Sequence, residues 1–219
     1  MNKKKAIGSL ILNIFTFLSV LGCMIYIFIN SKRPFKMFTT QSNFVAGIVA
    51  GIIIIFDILI ILNKIKDLPK WLKIIKMIVT TGVTLTFLVV TLYLGFVAVA
   101  MGYSYFLVFE NTNLFFHLFT PLSALFSFIL FEGTTEIKKR YTLLNLLHMG
   151  CYSIFYSINV FTHLTPEGKV DRKYDWYYFI IGENWTFAIV ITGMVLITFG
   201  IGFILWFMNK KIKEKQLFE

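Results

Sequence analysis

The chain has 219 residues, of which 58% are hydrophobic, 18% aromatic and 15% charged, and its formal net charge is +10. About a quarter of the residues in a soluble domain are charged, so this composition predicts an integral membrane protein. The Lys and Arg residues stand in short clusters between long apolar runs, which indicates topology signals and excludes a nucleic-acid-binding face.

Six apolar segments reach the length of about 20 residues that a helix needs to cross a membrane. They cover approximately 6–30, 39–63, 73–102, 113–131, 142–162 and 185–208. Most of the 21 Lys and Arg residues lie at the N-terminus, in the 64–76 loop, at 138–140 and in the tail. We therefore predict one all-α integral membrane domain over residues 1–219, a bundle of six transmembrane helices with both termini cytoplasmic.

Small residues and cysteines add two expectations. Gly47 and Gly51 form a G-x-x-x-G pattern in the second span, which predicts a close contact between helices. Cys23 and Cys151 both fall inside apolar runs, and the chain has no metal-spaced Cys/His set and no phosphate-binding glycine motif. We expect no cofactor and no metal, with a site formed by histidines and Glu183 as the lesser alternative.

Polar side chains collect at one end of the predicted spans. The second span opens with "FKMFTTQSN", residues 35–43, and further polar residues stand at the outer ends of the later spans. The set is Thr39, Thr40, Gln41, Ser42, Asn43, Asn113, His117, Asn159, His163, Glu183 and Asn184. Because polar groups are costly inside a membrane, we predict that they line a pocket in the outer leaflet.

The cytoplasmic halves of the spans are mostly Leu, Ile, Phe and Val, with Asp57 as the main exception. We expect Asp57 to snorkel or to form an ion pair, with Lys64 about two turns away. For His148 and His163 we expect hydrogen bonds to neighbouring helices.

Thr39 and His117 are the candidates for chemistry. Asn113 and His117 are four residues apart, which places them on one helical face, and Pro121 frees a backbone carbonyl nearby. A hydroxyl and an imidazole in a low-dielectric site, with an amide to orient the ring, are the minimum for an activated nucleophile. The structural alternative is that Thr39 or Thr40 only caps the second helix.

The apolar-Thr motif ahead of the second span and the N-x-x-x-H motif followed by Pro in the fourth resemble the androgen-induced membrane hydrolase family. The resemblance implies a six-span bundle in which Thr39 is the nucleophile and His117 the general base for cleaving esters of hydroxy fatty acids. Thr40 directly follows Thr39, so a shift of one residue changes the nucleophile. Many bacterial six-span proteins look similar, which implies the bacterial plasma membrane as the location.

Under this hypothesis Asn113 orients His117, and Asn43 or Gln41 donates hydrogen bonds to the oxyanion. The expected partners are membrane lipids and a lipid or fatty-acid ester substrate, with no nucleic acid, and no pattern indicates an oligomeric state. Two alternatives use the same pocket. One is a non-enzymatic lipid- or solute-binding protein, such as a carrier, sensor or assembly factor, and the other is a lipid acyltransferase.

Overall fold

The structure is a computed structural model that describes residues 1–132, 137–177, 179 and 184–215. Its main helices are α1 (Lys3–Asn30), α2 (Phe38–Ile61), α3 (Lys70–Ala100), α4 (Thr112–Glu132), α5 (Leu146–Thr162) and α6 (Asn184–Lys215). The described residues contain no strand beyond an isolated bridge between Leu164 and Val170. The all-α class is confirmed.

Five of these helices, α1, α2, α3, α4 and α6, are long and apolar enough to cross a membrane. The chain is therefore a multi-pass membrane protein. The remaining helix, α5, has 17 residues and follows a 3-10 turn at Lys139–Asn145.

Large apolar side chains point outward and small or polar ones inward. Ile11 and Ile55 are each 60% exposed and Leu92 is 68% exposed, as expected of side chains that face lipid. A Cβ atom at Gly47 would lie 2.6 Å from Val20 Cγ1, so α1 and α2 approach closely at this glycine. The contact predicted from the G-x-x-x-G pattern is confirmed.

In the described part of the chain three π-helical turns interrupt the α-helices, at Val90–Leu94 in α3 and at Phe115–Phe119 and Phe128–Glu132 in α4. Pro121 lies just after the π turn Phe115–Phe119. It has no backbone N–H to donate to the carbonyl oxygens of that turn. Asn43 Nδ2 on α2 donates instead to Phe116 O, at 3.1 Å. An α2 side chain therefore stabilises the irregular part of α4.

We call the end of the bundle where α2 begins the Thr39 end, and the end where α3 begins the Lys70 end. The sequence indicates Asp57 as the main polar exception in the half towards the Lys70 end, but the structure shows several more. The interior of this half holds fully buried polar side chains from four helices, among them Ser9, Asn13, Thr16, Asp57, Lys76, Ser127 and Glu132. No helix contributes more than about one such residue per turn, so each run looks apolar in the sequence. The polar side chains meet only because the four helices pack together.

Candidate functional site

A mostly apolar cavity of about 410 Å³ opens at the Thr39 end, between α2, α3, α5, α6 and the segment 174–179. Aliphatic and aromatic side chains form most of its wall. Thr39 lines the cavity from α2 and Thr86 lines it from α3, while Tyr152 on α5 and Tyr177 after α5 form another part of the wall. A cavity with this lining suits an acyl chain, with a few polar atoms to fix its orientation.

The start of α2 is capped from a distant part of the chain. Met37 is the N-cap residue and makes no side-chain capping bond. Tyr177 supplies the acceptor instead, because the Phe38 N–H donates to Tyr177 Oη at 2.9 Å. Neither Thr39 nor Thr40 acts as the N-cap, so the purely structural role considered for these threonines is not the one they have here.

Thr39 and Thr40 differ in their surroundings. Thr39 is half-buried and lines the cavity, whereas Thr40 is buried at 7% exposure and does not line it. Of these two neighbouring threonines, Thr39 is therefore the one that a molecule in the cavity would touch.

The other polar residues of this segment hold the backbone together. Gln41 Nε2 donates to Phe35 O at 2.7 Å, and Asn43 Nδ2 donates to Thr39 O at 2.9 Å. Ser42 Oγ donates to Thr39 O at 3.1 Å and lies 3.3 Å from Thr86 Oγ1. Neither amide lines the cavity. The structure thus gives Gln41 and Asn43 contacts that hold the backbone, and their role as oxyanion donors stays a prediction.

His117 lies in the first π turn of α4 and is half-buried. Its Nδ1 is 2.6 Å from Val108 O. A carbonyl oxygen only accepts, so Nδ1 carries a proton, and in the neutral imidazole Nε2 then keeps the lone pair that a general base requires. Asn113 is exposed, and in the described residues its side chain makes no hydrogen bond to His117; the Val108 carbonyl orients the ring instead.

Asn43 links the backbone at Thr39 to the backbone next to His117, but the side chains of Thr39 and His117 are not joined in the part of the chain that the structure describes. Asn43 Nδ2 donates both to Thr39 O and to Phe116 O, which precedes His117. Among the described residues no hydrogen bond links the Thr39 hydroxyl to His117, and His117 does not line the cavity. One amide therefore ties the turn that carries Thr39 to the turn that carries His117.

His148 is closer to the polar segment than the sequence indicated. Its ring packs on Phe38, with centroids 5.0 Å apart, and a Cβ at Gly82 would lie 2.8 Å from its Nδ1 and 3.7 Å from Ser42 Cβ. Nδ1 is buried and has no hydrogen-bond partner in the described part of the chain. Local sequence patterns do not report which helices become neighbours, so nothing near His148 indicated this placement.

The remaining predicted residues lie away from the cavity. Asn159 Nδ2 donates to Phe155 O at 2.9 Å, and Asn159 lines a separate surface recess with His163. Asn184 is the first residue of α6, and Glu183 lies outside the described residues. No group of three or more His, Cys, Asp or Glu that could hold a metal ion occurs among the described residues.

The chain matches no protein-family model, no curated protein and no solved structure. The resemblance to the androgen-induced membrane hydrolases stays a prediction that rests on the two motifs.

Proposed function

We propose that this protein is an intramembrane hydrolase of fatty-acid esters, with Thr39 as nucleophile and His117 as general base. The observation that carries the proposal is the position of Thr39. It lies on the wall of an apolar cavity, and Asn43 ties its turn to that of His117, whose Nδ1 donates to Val108 O and so leaves Nε2 as the basic nitrogen of the neutral ring. The acyl chain occupies the cavity and the ester carbonyl reaches the Thr39 hydroxyl.

The proposed hydrolysis requires only these two side chains and water. Thr39 Oγ attacks the ester carbonyl while its proton passes to His117 Nε2, directly or through one water. Asn43 Oδ1 is buried without a donor among the described residues, so it would hold such a water between the two turns. The carbon–oxygen bond to the alcohol breaks, the alcohol leaves with the proton from His117, and water then hydrolyses the acyl-threonine.

The proposal includes a membrane topology of six spans. The 3-10 turn Lys139–Asn145 together with α5 forms the sixth span, and both termini face the cytoplasm because most Lys and Arg residues lie on that side. The cavity then opens in the outer leaflet of a bacterial plasma membrane, where membrane lipids can enter it.

The test is turnover of a panel of fluorogenic and branched fatty-acid esters by the purified protein. Thr39→Ala and His117→Ala should each abolish turnover, because each removes a group that the attack needs. Thr40→Ala is the matched control, since it removes the neighbouring hydroxyl that does not line the cavity. Equal turnover in all three variants, at equal thermal stability, would refute the assignment.

A second candidate function is lipid binding without chemistry, as in a carrier or sensor. It is favoured by the absence of His117 from the wall of the cavity among the described residues. Lipid that copurifies with the wild-type protein and with Thr39→Ala in equal amounts, with no turnover of any ester, would support this function over the hydrolase.

A further inference from the structure

A second buried site lies near the Lys70 end, away from the Thr39 cavity. Among the described residues three ionisable side chains come together there: Asp57 on α2, Lys76 on α3 and Glu132 at the end of α4. Their exposed fractions are 0%, 2% and 1%. Ionisable groups inside a transmembrane bundle are expensive and usually mark a proton or ion site.

Glu132 and Lys76 are paired with each other and with the polar residues around them. Lys76 Nζ lies 3.3 Å from Glu132 Oε2 and donates to Asn13 Oδ1 at 2.7 Å. Glu132 Oε1 accepts hydrogen bonds from Ser9 Oγ at 3.0 Å, from Asn13 Nδ2 and from Ser127 Oγ. This carboxylate and this ammonium therefore compensate each other.

Asp57 has no such compensation. Neither of its carboxylate oxygens has a hydrogen-bond partner in the described residues, and the expected ion pair with Lys64 is not formed among them. Ser9 lies beside Asp57, but its hydroxyl proton is donated to Glu132. The aspartate is a fully buried acid close enough to the Lys76–Glu132 ion pair to feel the charges of both partners.

The charged groups that act on Asp57 come from two helices in the described part of the chain. Lys76 faces it from α3 and Glu132 from α4, while α1 presents only the uncharged Ser9 and Asn13. With both acids ionised, the described residues of the cluster carry two negative charges and one positive charge. A surplus charge buried in low dielectric costs several kcal/mol, so the cluster needs one more cation.

We propose that Asp57 is a proton-binding site, whose carboxylate takes up one proton to leave a neutral carboxylic acid beside the Lys76–Glu132 pair. A proton fits better than a metal ion. A sodium or calcium ion requires several oxygen ligands, whereas Glu132 Oε1 and Asn13 Oδ1 are already engaged and the Lys76 ammonium would repel a second cation. The proposal does not depend on the hydrolase function at the other end of the bundle.

Infrared difference spectroscopy of the full-length protein in lipid nanodiscs tests this site. At about pH 6, where solvent-exposed carboxylates are ionised, we expect the carbonyl stretching band of a protonated carboxylic acid in the wild type. The band should disappear at alkaline pH and be lost in Asp57→Asn, whose amide mimics the neutral acid and preserves folding. Asp67→Asn is the control, because Asp67 has a 47% exposed side chain in the loop before α3.

Each other outcome would overturn the assignment. A band that persists in Asp57→Asn but is lost in Glu132→Gln would place the proton on Glu132. A band that sodium removes at constant pH, when choline does not, would make the site a sodium site. Spectra of the wild type and Asp57→Asn that are identical at every pH would show that Asp57 remains ionised.

Discussion

Gly82 provides the space that His148 occupies beside the polar start of α2. A methyl group at this position would lie 2.8 Å from His148 Nδ1, closer than real side chains approach. We expect Gly82→Ala to displace the imidazole and to destabilise the protein by about 1–3 kcal/mol, as overpacking does. The measurement is the midpoint of thermal unfolding in detergent.

The matched control is Gly22→Ala in α1, where an added Cβ meets no atom within 4 Å. An alanine there should leave the midpoint unchanged or raise it, because alanine favours the helix over glycine. If both alanine variants shift the midpoint alike, the contact between Gly82 and His148 does not determine the packing.

Two adjacent threonines of α3 allow a second test at the scale of single residues. Thr80 and Thr81 are both 0% exposed, but Thr81 Oγ1 donates to Met77 O at 2.9 Å, whereas Thr80 Oγ1 has no partner in the described residues. Valine has the same shape without the hydroxyl. Thr81→Val should lower the free energy of unfolding by about 1 kcal/mol, and Thr80→Val should leave it unchanged or raise it.

Thermal unfolding of the two valine variants under identical conditions gives the comparison. If Thr80→Val proves the more destabilising of the two, the Thr80 hydroxyl has a partner that this arrangement of side chains does not provide, such as a bound water.

At the scale of elements, the connection between α2 and α3 is held by a charge pair. Lys73 Nζ lies 2.6 Å from Asp67 Oδ2, and Lys73 is 3% exposed. Burial alone would raise the pKa of Asp67, but the hydrogen bond and charge of Lys73 and the Leu68 N–H together lower it. The carboxylate is thus favoured in the folded state.

A lowered folded-state pKa gives stability that is present above the unfolded value, about 3.9, and is lost as the pH falls below it. We expect the wild-type protein to lose stability on acidification through this range. Asp67→Asn should be less stable near neutral pH, because it leaves Lys73 without its carboxylate, and should lose less on acidification. Thermal unfolding across a pH series measures both slopes, and parallel slopes would contradict the prediction.

The π turns explain where reasoning from helical periodicity failed. Residues four apart share a face in an α-helix, and on that basis Asn113 was expected to orient His117. The turn Phe115–Phe119 is π-helical, with hydrogen bonds between residues five apart, so the register changes just before His117. Asn113 then points to the surface and the Val108 carbonyl takes its place. No residue type announces a π turn in advance.

At the scale of the whole molecule, long apolar runs were sufficient to predict an all-α membrane protein and the approximate bounds of its helices. The segment 142–162 was the exception, because part of it forms a 3-10 turn and α5 is short. The convergence of Asp57, Lys76 and Glu132 was not predictable, since it depends on which helices are neighbours. Thr39 was placed correctly at the start of a helix, but its cavity is completed by residues more than 100 positions later in the chain.

Tyr177 has two roles, so a ligand that disturbs one of them also disturbs the other. It accepts the first free N–H of α2, from Phe38, and its side chain also forms part of the cavity wall. A molecule that displaces Tyr177 must therefore remove the cap from the helix that carries Thr39. Because linked equilibria are reciprocal, the cap weakens binding of that molecule by the same free energy by which the molecule weakens the cap. Occupancy of the cavity would then be readable, with no label on the ligand, from the hydrogen-exchange rate of one backbone amide, that of Phe38.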